Sequence, residues 1–344
     1  EVSFDIVPDT LTVTGGARYY DVKVDLEGAA TSAFCKRNSP IYGANVGVDP
    51  ADQTNIPGCG GTNLSLIYGE DNTFGNPDKA RAEGVIFKGT VTWTPTSDLL
   101  FYATYSEGFR PGLLNRPGGA QGPGNFTVPF ELQTDDVKNY ELGWKTELFD
   151  RQLRLNGSAF YVDVSDLQTT IFDPGITNLF FSDNAADAEI KGVEAEFTYA
   201  PYSISGLTVA GAISILDTEI TDKLTPTDDI VVGSELAYAP SFQGNLRVRY
   251  EWDLSDTLEA FIQPQVSHSA SKFTDIIQIN RLELDSYTLF DLSVGVSTAN
   301  YKFELYGENL TDERAQVSGN FNFDRARITV NRPLTVGVRA TYNY

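Results

Sequence analysis

Hydrophobic and polar residues alternate with a period of two in segment after segment of this chain, the pattern of strands with one apolar and one polar face. From Leu153 to Tyr161 the odd positions are Leu153, Leu155, Gly157, Ala159 and Tyr161, while the even ones begin Arg154, Asn156 and Ser158. Tyr140, Leu142, Trp144, Thr146 and Leu148 share one face of the next example, against Asn139, Glu141, Gly143, Lys145 and Glu147. The split returns in Val193, Ala195, Phe197 and Tyr199, and again in Leu246, Val248, Tyr250 and Trp252. Helical periodicity is nowhere sustained, so the pattern predicts an all-β chain.

The connections alternate as well. Short turns at 8–9, 96–98, 150–151, 201–205, 255–256 and 299–300 interleave with long polar connections near 27–81, 110–133, 168–187, 221–239, 271–283 and 311–326. Short turns at one end and long loops at the other are the habit of transmembrane antiparallel up-and-down β-barrels. About thirteen strands are counted, an odd number, whereas bacterial single-chain barrels have an even number with both termini on the short-turn side. The first strand, starting at Val2, runs into a short turn, so the sequence is expected to open in mid-barrel, with an odd number of strands preceding it.

A soluble barrel turns its apolar face inward, and a membrane barrel turns it out to lipid. Ionised groups of both signs on the polar faces, such as Glu141/Lys145/Glu147 and Lys302/Glu304/Glu308, suit a wet or polar-filled lumen; a solvated surface is the bland alternative. Repetition over many strands longer than soluble ones favours the membrane reading. Leu153, Leu155, Leu246, Val248, Leu334 and Val336 are then expected to face lipid, and Arg154, Arg247, Arg249 and Arg339 the lumen. Trp93, Trp252 and Tyr301 stand close to short turns, where an interfacial aromatic girdle belongs.

Composition narrows the function. No run of eighteen apolar residues exists, which excludes a helical membrane span. A net charge of −22, without a basic stripe, repels phosphates and argues against nucleic acid as a partner. Cys35 and Cys59 enclose part of one Gly/Pro/Asn-rich stretch, which suggests a disulfide closing the loop around 27–81; two unrelated free thiols are the alternative. There is no methionine, even at position 1, and no signal peptide in the chain.

Catalytic chemistry finds little to build on. His268 is the only histidine, and a solvated residue near a strand end is the simpler account of it. No His/Cys cluster has metal-ligand spacing, and the glycine-rich stretches at 117–119 and 122–124 lack the strand-to-helix setting of a phosphate cradle. The acidic stretch Thr227-Asp228-Asp229 matches no calcium loop. Neither an enzyme nor a cofactor is expected.

Tyr105-Ser106-Glu107-Gly108-Phe109-Arg110-Pro111-Gly112 resembles a strand end of the TonB-dependent outer-membrane receptors. Asn139 to Glu147, Ala159-Phe160-Tyr161, Glu189 to Glu196 and Gly307-Glu308-Asn309-Leu310-Thr311-Asp312-Glu313 are similar to further motifs of that family. The closing alternation from Leu334 through Tyr342 to Tyr344 resembles the signal read by the barrel-assembly machinery. The resemblance covers essentially all of residues 1–344 and implies the C-terminal portion of a 22-stranded barrel in a Gram-negative outer membrane, with an N-terminal plug and about nine strands outside the chain. It also implies energised uptake of a small-molecule ligand, driven by the inner-membrane TonB complex acting on that plug. A ferric siderophore or similar iron chelate leads on family frequency; carbohydrate and cobalamin are alternatives. A passive porin and a glycan-binding surface β-protein are the competing classes. Arg110, Asn115, Arg116, Phe126 and Phe130, in a connection too long and glycine-rich to exist for packing, are the candidate ligand contacts.

Overall fold

A computed structural model of the chain describes residues 1–31, 65–68, 77–115, 123–173, 177–322 and 325–342. Its strands are β1 (Val2–Val7), β2 (Leu11–Asp25), β3 (Gly28–Thr31), β4 (Ser65–Tyr68), β5 (Lys79–Thr96), β6 (Leu99–Arg110) and β7 (Asp135–Leu148). There follow β8 (Leu153–Asp173), β9 (Thr177–Tyr199), β10 (Leu207–Lys223), β11 (Phe242–Ser255), β12 (Leu258–Ser269), β13 (Lys272–Phe273) and β14 (Glu283–Leu284). The last are β15 (Tyr287–Ser297), β16 (Tyr301–Glu308), β17 (Gln316–Asn322), β18 (Arg325–Val330) and β19 (Thr335–Tyr342). Thirteen of them form one sheet in the order β1-β2-β5-β6-β7-β8-β9-β10-β11-β12-β15-β16-β19, the number the alternation predicts. The other six pair as ribbons within long connections: β3 with β4, β13 with β14, and β17 with β18.

Every neighbouring pair of the main sheet is antiparallel, and its register sorts the residues into two faces. Phe4, Val13, Val91, Ala103, Leu142, Ala159, Val193, Ile215 and Phe242 form one continuous row across nine strands, apolar throughout. On the opposite face Thr12, Thr92, Tyr102, Gly143, Ser158, Glu194, Ser214, Gln243 and Ser269 form another. Five of the six residues expected in lipid fall on the apolar face, Leu334 standing just before β19 outside the sheet, and the four arginines expected in the lumen fall on the polar one.

Two observations show that the sheet is rolled and tilted. A single cavity of about 630 Å³ is lined from Tyr102 on β6 to Tyr287 and Leu289 on β15. Laid flat, those eight strands would spread over roughly 34 Å at the usual ~4.8 Å spacing, so the polar face must be concave. The row that begins at Leu11, the first residue of β2, passes through Trp93, Phe101, Trp144, Gly157, Ala195, Ile213, Gly244 and His268 to Thr288, near the far end of β15. It drifts nine residues along the strands over nine strand-to-strand steps. At ~3.4 Å per residue and ~4.8 Å per step the strands tilt by about 35°, within the range of membrane barrels.

Aromatic rings also pack flat on glycines of the neighbouring strand. Tyr20 lies over Gly84, Tyr102 over Gly143, Phe160 over Gly192, Phe261 over Gly295 and Tyr306 over Gly337, each ring covering the glycine directly opposite it. A Cβ at Gly143 would sit 2.2 Å from the Tyr102 ring. Trp144 covers Gly157 and Phe197 covers Gly211 in the same way on the convex face, so these glycines are the places where a ring approaches the backbone of the next strand.

One expected loop is not a loop. Residues 168–173 and 177–187 continue β8 and β9, which are 21 and 23 residues long where about ten suffice to cross a membrane. The sequence hides this because the alternation slips: Val164 and Ile171, seven apart, pack into one cluster, with Asp166 between them at φ 58° where the register shifts. Cys35, Cys59, Arg116 and Tyr344 lie outside the described residues.

Candidate functional site

Where β8 and β9 rise past the membrane, the long connections fold onto them. Val164 and Ile171 of β8, Phe181 and Ala188 of β9, and Ile220 of β10 share a buried apolar cluster with Val128, Ile230, Ile276 and Ile277 from three different connections. Each fully buried aliphatic side chain of this kind stabilises by about 1.5–3 kcal/mol relative to exposure. Backbone bonds join the connections directly: Gln278 N–H donates to Asp229 O at 2.8 Å, and Tyr238 N–H to Phe273 O at 2.7 Å. The outer end of the wall therefore carries a preassembled cap.

Asp135 is nearly fully buried at the neck of the 111–134 connection, where Arg110 forms an ion pair with it at 2.6 Å. The Arg110 guanidinium also donates to Gln168 O at 2.7 Å. Gln168 Nε2 lies within hydrogen-bond distance of Arg110 O, Pro111 O, Gln133 O and Asp135 Oδ1. Gly112 is required beside this clasp, since a Cβ there would collide with Leu132 O. Asn115, 8% exposed, donates from Nδ2 to Pro129 O and Ser182 O and accepts from Ser182 N–H at 2.9 Å. Phe126 packs on Phe181 with ring centroids 6.2 Å apart. Phe130 is part-buried, and its carbonyl accepts from Asn115 N–H. Arg110, Asn115, Phe126 and Phe130 are thus brought together at the cap, with the Asn115 amide and the Nε and Nη2 of Arg110 bonded to protein.

Two carboxylates of the cap have shifted proton affinities. Burial pushes the Asp275 carboxyl above its ordinary range, opposed by the N–H groups of Ile277 and Ile276. Asp229 is raised first by burial and then by the charge of Asp173. Sequence reasoning assigned no site role to Gln168, Asp135 or Arg281. The last is a part-buried arginine stacked on Phe273 at 3.5 Å.

Below the cap, the concave wall offers Tyr102, Lys145, Asn156, Glu194, Glu196, Gln243, Asn245 and Ser267 to the cavity. Charges are neutralised in place further along it. Glu304 pairs with Lys302 at 3.0 Å and Arg339 at 3.3 Å, and Phe261 is flanked by Arg249 and Lys302 at 4.1 and 4.7 Å. The convex face bears aromatic rims instead: Tyr105–Tyr140–Tyr161 towards the loops, with centroids 5.1 and 6.2 Å apart, and Trp93–Phe101 and Tyr301–Tyr342 towards the turns. No group of three or more His, Cys, Asp or Glu side chains is placed to hold a metal among the described residues.

A tilted antiparallel wall that is apolar and aromatic-rimmed outside and polar inside is the wall of an outer-membrane β-barrel. Its long connections are gathered and packed together at one end. The chain belongs to the TonB-dependent receptor family, whose sequence profile, described as "TonB dependent receptor-like, beta-barrel", matches residues 1–322. Members of this family are Gram-negative outer-membrane proteins and transporters rather than enzymes.

Solved structures agree on the fold. The ferric yersiniabactin uptake receptor FyuA from Yersinia pestis is 18% identical, with a TM-score of 0.69 over 99% of this chain and 44% of that one. The ferripyoverdine receptor of the outer membrane of Pseudomonas aeruginosa is 15% identical, with a TM-score of 0.59 over 99% of this chain and 37% of the receptor. The copper transporter OprC is 12% identical, with a TM-score of 0.66 over 99% and 47%. The chain spans less than half the length of each.

Proposed function

We propose that this chain forms part of the barrel of an energised uptake receptor whose ligand is a ferric siderophore or similar iron chelate, met first at the cap. The observation that carries the reading is the preassembled cap: three long connections packed into one apolar cluster on the outer end of a polar-lined wall. A passive channel has no need of a fixed structure over its mouth. Ferric yersiniabactin and ferripyoverdine are named for two of the similar structures, which supports an iron chelate. Coupling to the inner-membrane TonB complex and folding by the barrel-assembly machinery, with Tyr342 and Tyr344 in its recognition signal, belong to the same proposal. Within it, Arg110, Asn115 and Phe126 hold the 111–134 connection on the β8–β9 hairpin, while Arg116 and Phe130 complete the candidate contact set.

The test is radioiron uptake by cells carrying the intact gene or a deletion, supplied with a panel of ferric chelates. Uptake that depends on the gene and stops when the proton gradient is dissipated supports the reading. Gene-dependent uptake that survives loss of the gradient replaces it with a passive pore.

A further inference from the structure

Arg281 lies in the 270–286 connection, and its guanidinium carbon stands 3.5 Å from the centroid of the Phe273 ring. Among the described residues it forms no ion pair and no side-chain hydrogen bond, and its buried Nε has no partner. Glu235 and Glu283 act on it electrostatically, yet neither comes within ion-pair distance. Two other arginines of the connections are paired, Arg110 with Asp135 and Arg314 with Asp312, while Arg332 is exposed to solvent. In a chain with 47 acidic residues, a part-buried guanidinium with unused donors is an exception.

Such a group has a cost that packing does not explain, because a desolvated cation with unused N–H donors is unfavourable until something accepts from it. Stacking on an aromatic face holds the planar fork in orientation while leaving its outer edge available, the arrangement suited to an anion with two adjacent oxygens. A second buried orphan, Ser234 Oγ, sits next to Glu235 on the connection that docks against Phe273 through Tyr238.

We propose that Arg281, presented on Phe273, is a ligand-contacting residue of the cap, taking a small anion through paired oxygens of the carboxylate or catecholate type. The inference rests on the reading of the cap as a capture surface and narrows its ligand to an anionic one. The Phe273 ring sets the angle of approach.

The test uses the intact receptor in outer-membrane vesicles, with Arg281→Gln, Arg281→Lys and Phe273→Leu variants. Binding is read by tryptophan fluorescence against ferric citrate, a ferric catecholate, iron-free citrate and an uncharged ferric trihydroxamate. R281Q is expected to weaken the anionic probes on the order of tenfold or more and to flatten their salt dependence. R281K is expected to recover part of the loss, F273L to weaken them less than R281Q, and the uncharged probe to be unaffected. Unchanged anion binding in R281Q, or an equal loss for the uncharged probe, overturns the proposal. So does a wild-type receptor that binds no anion in the panel. Arg281-dependent binding of iron-free citrate alone upholds the Arg281 assignment while ending the iron-chelate reading.

Discussion

Asn115 commits its amide to Pro129 O, Ser182 O and Ser182 N–H, bonds that tie the 111–134 connection to β9. Asn115→Ala leaves those backbone groups unsatisfied in a buried place, which costs about 1–3 kcal/mol. Faster amide exchange at 128–134 with an unchanged wall is the expected result. Asp275 makes a prediction about pH. Its raised proton affinity means the folded cap binds a proton more readily than the unfolded chain does. The contribution to stability is full below the unfolded carboxyl range and is lost as pH rises through the raised value. Asp275→Asn should flatten that dependence and stabilise the cap at neutral pH, read from melting curves across acidic and neutral buffers. At this scale the sequence is least legible. Arg110 and Asn115 have the residue types of ligand contacts, and nothing along the chain reveals that Asp135 and the Ser182 backbone stand beside them. Arg281 carries no sequence signal at all, since its distinction is what it fails to touch.

Strands were legible wherever one face met a single environment along its length. β7, with Tyr140, Leu142 and Trp144 on one side and Glu141 and Lys145 on the other, follows its alternation residue by residue. β8 and β9 do not, because above the membrane their inner surface meets Val128 and Ile277 instead of a wet lumen, and the slip at Asp166 moves apolar residues to that side. A loop-like composition over 168–187 therefore reads as coil although both legs are paired. Asp166→Val places a β-branched residue at φ 58° and should cost about 1–2 kcal/mol, visible as an earlier melting of the cap. Gly143→Val should lower the fraction that runs as folded barrel on unheated gels, because its side chain meets the Tyr102 ring. Adding Tyr102→Ala should recover much of it. A double variant no better than G143V would show that the ring is not what the glycine accommodates.

Across the molecule, the apolar row through Leu142 and Val193 defines what meets lipid, and the row through Ser158 and Glu194 what does not. Leu142→Arg should cost roughly 2–4 kcal/mol and impair assembly, whereas Ser158→Arg should not. Spin labels at 142 and 158 should answer to lipid-soluble and water-soluble quenchers respectively, and the reverse response would invert the wall. The unbroken pairing of the wall has a further consequence. Because neighbouring strands are locked in a common register and their faces differ by a single step, inserting or deleting one residue anywhere between two turns turns the remainder of that strand inside out. Length variation in this family of sequences should therefore be confined to the connections and, within strands, to the few positions that already carry an irregularity, such as 165–166. A scan of single-codon deletions through the gene, scored by surface display, should trace the thirteen strands as thirteen intolerant blocks separated by permissive gaps.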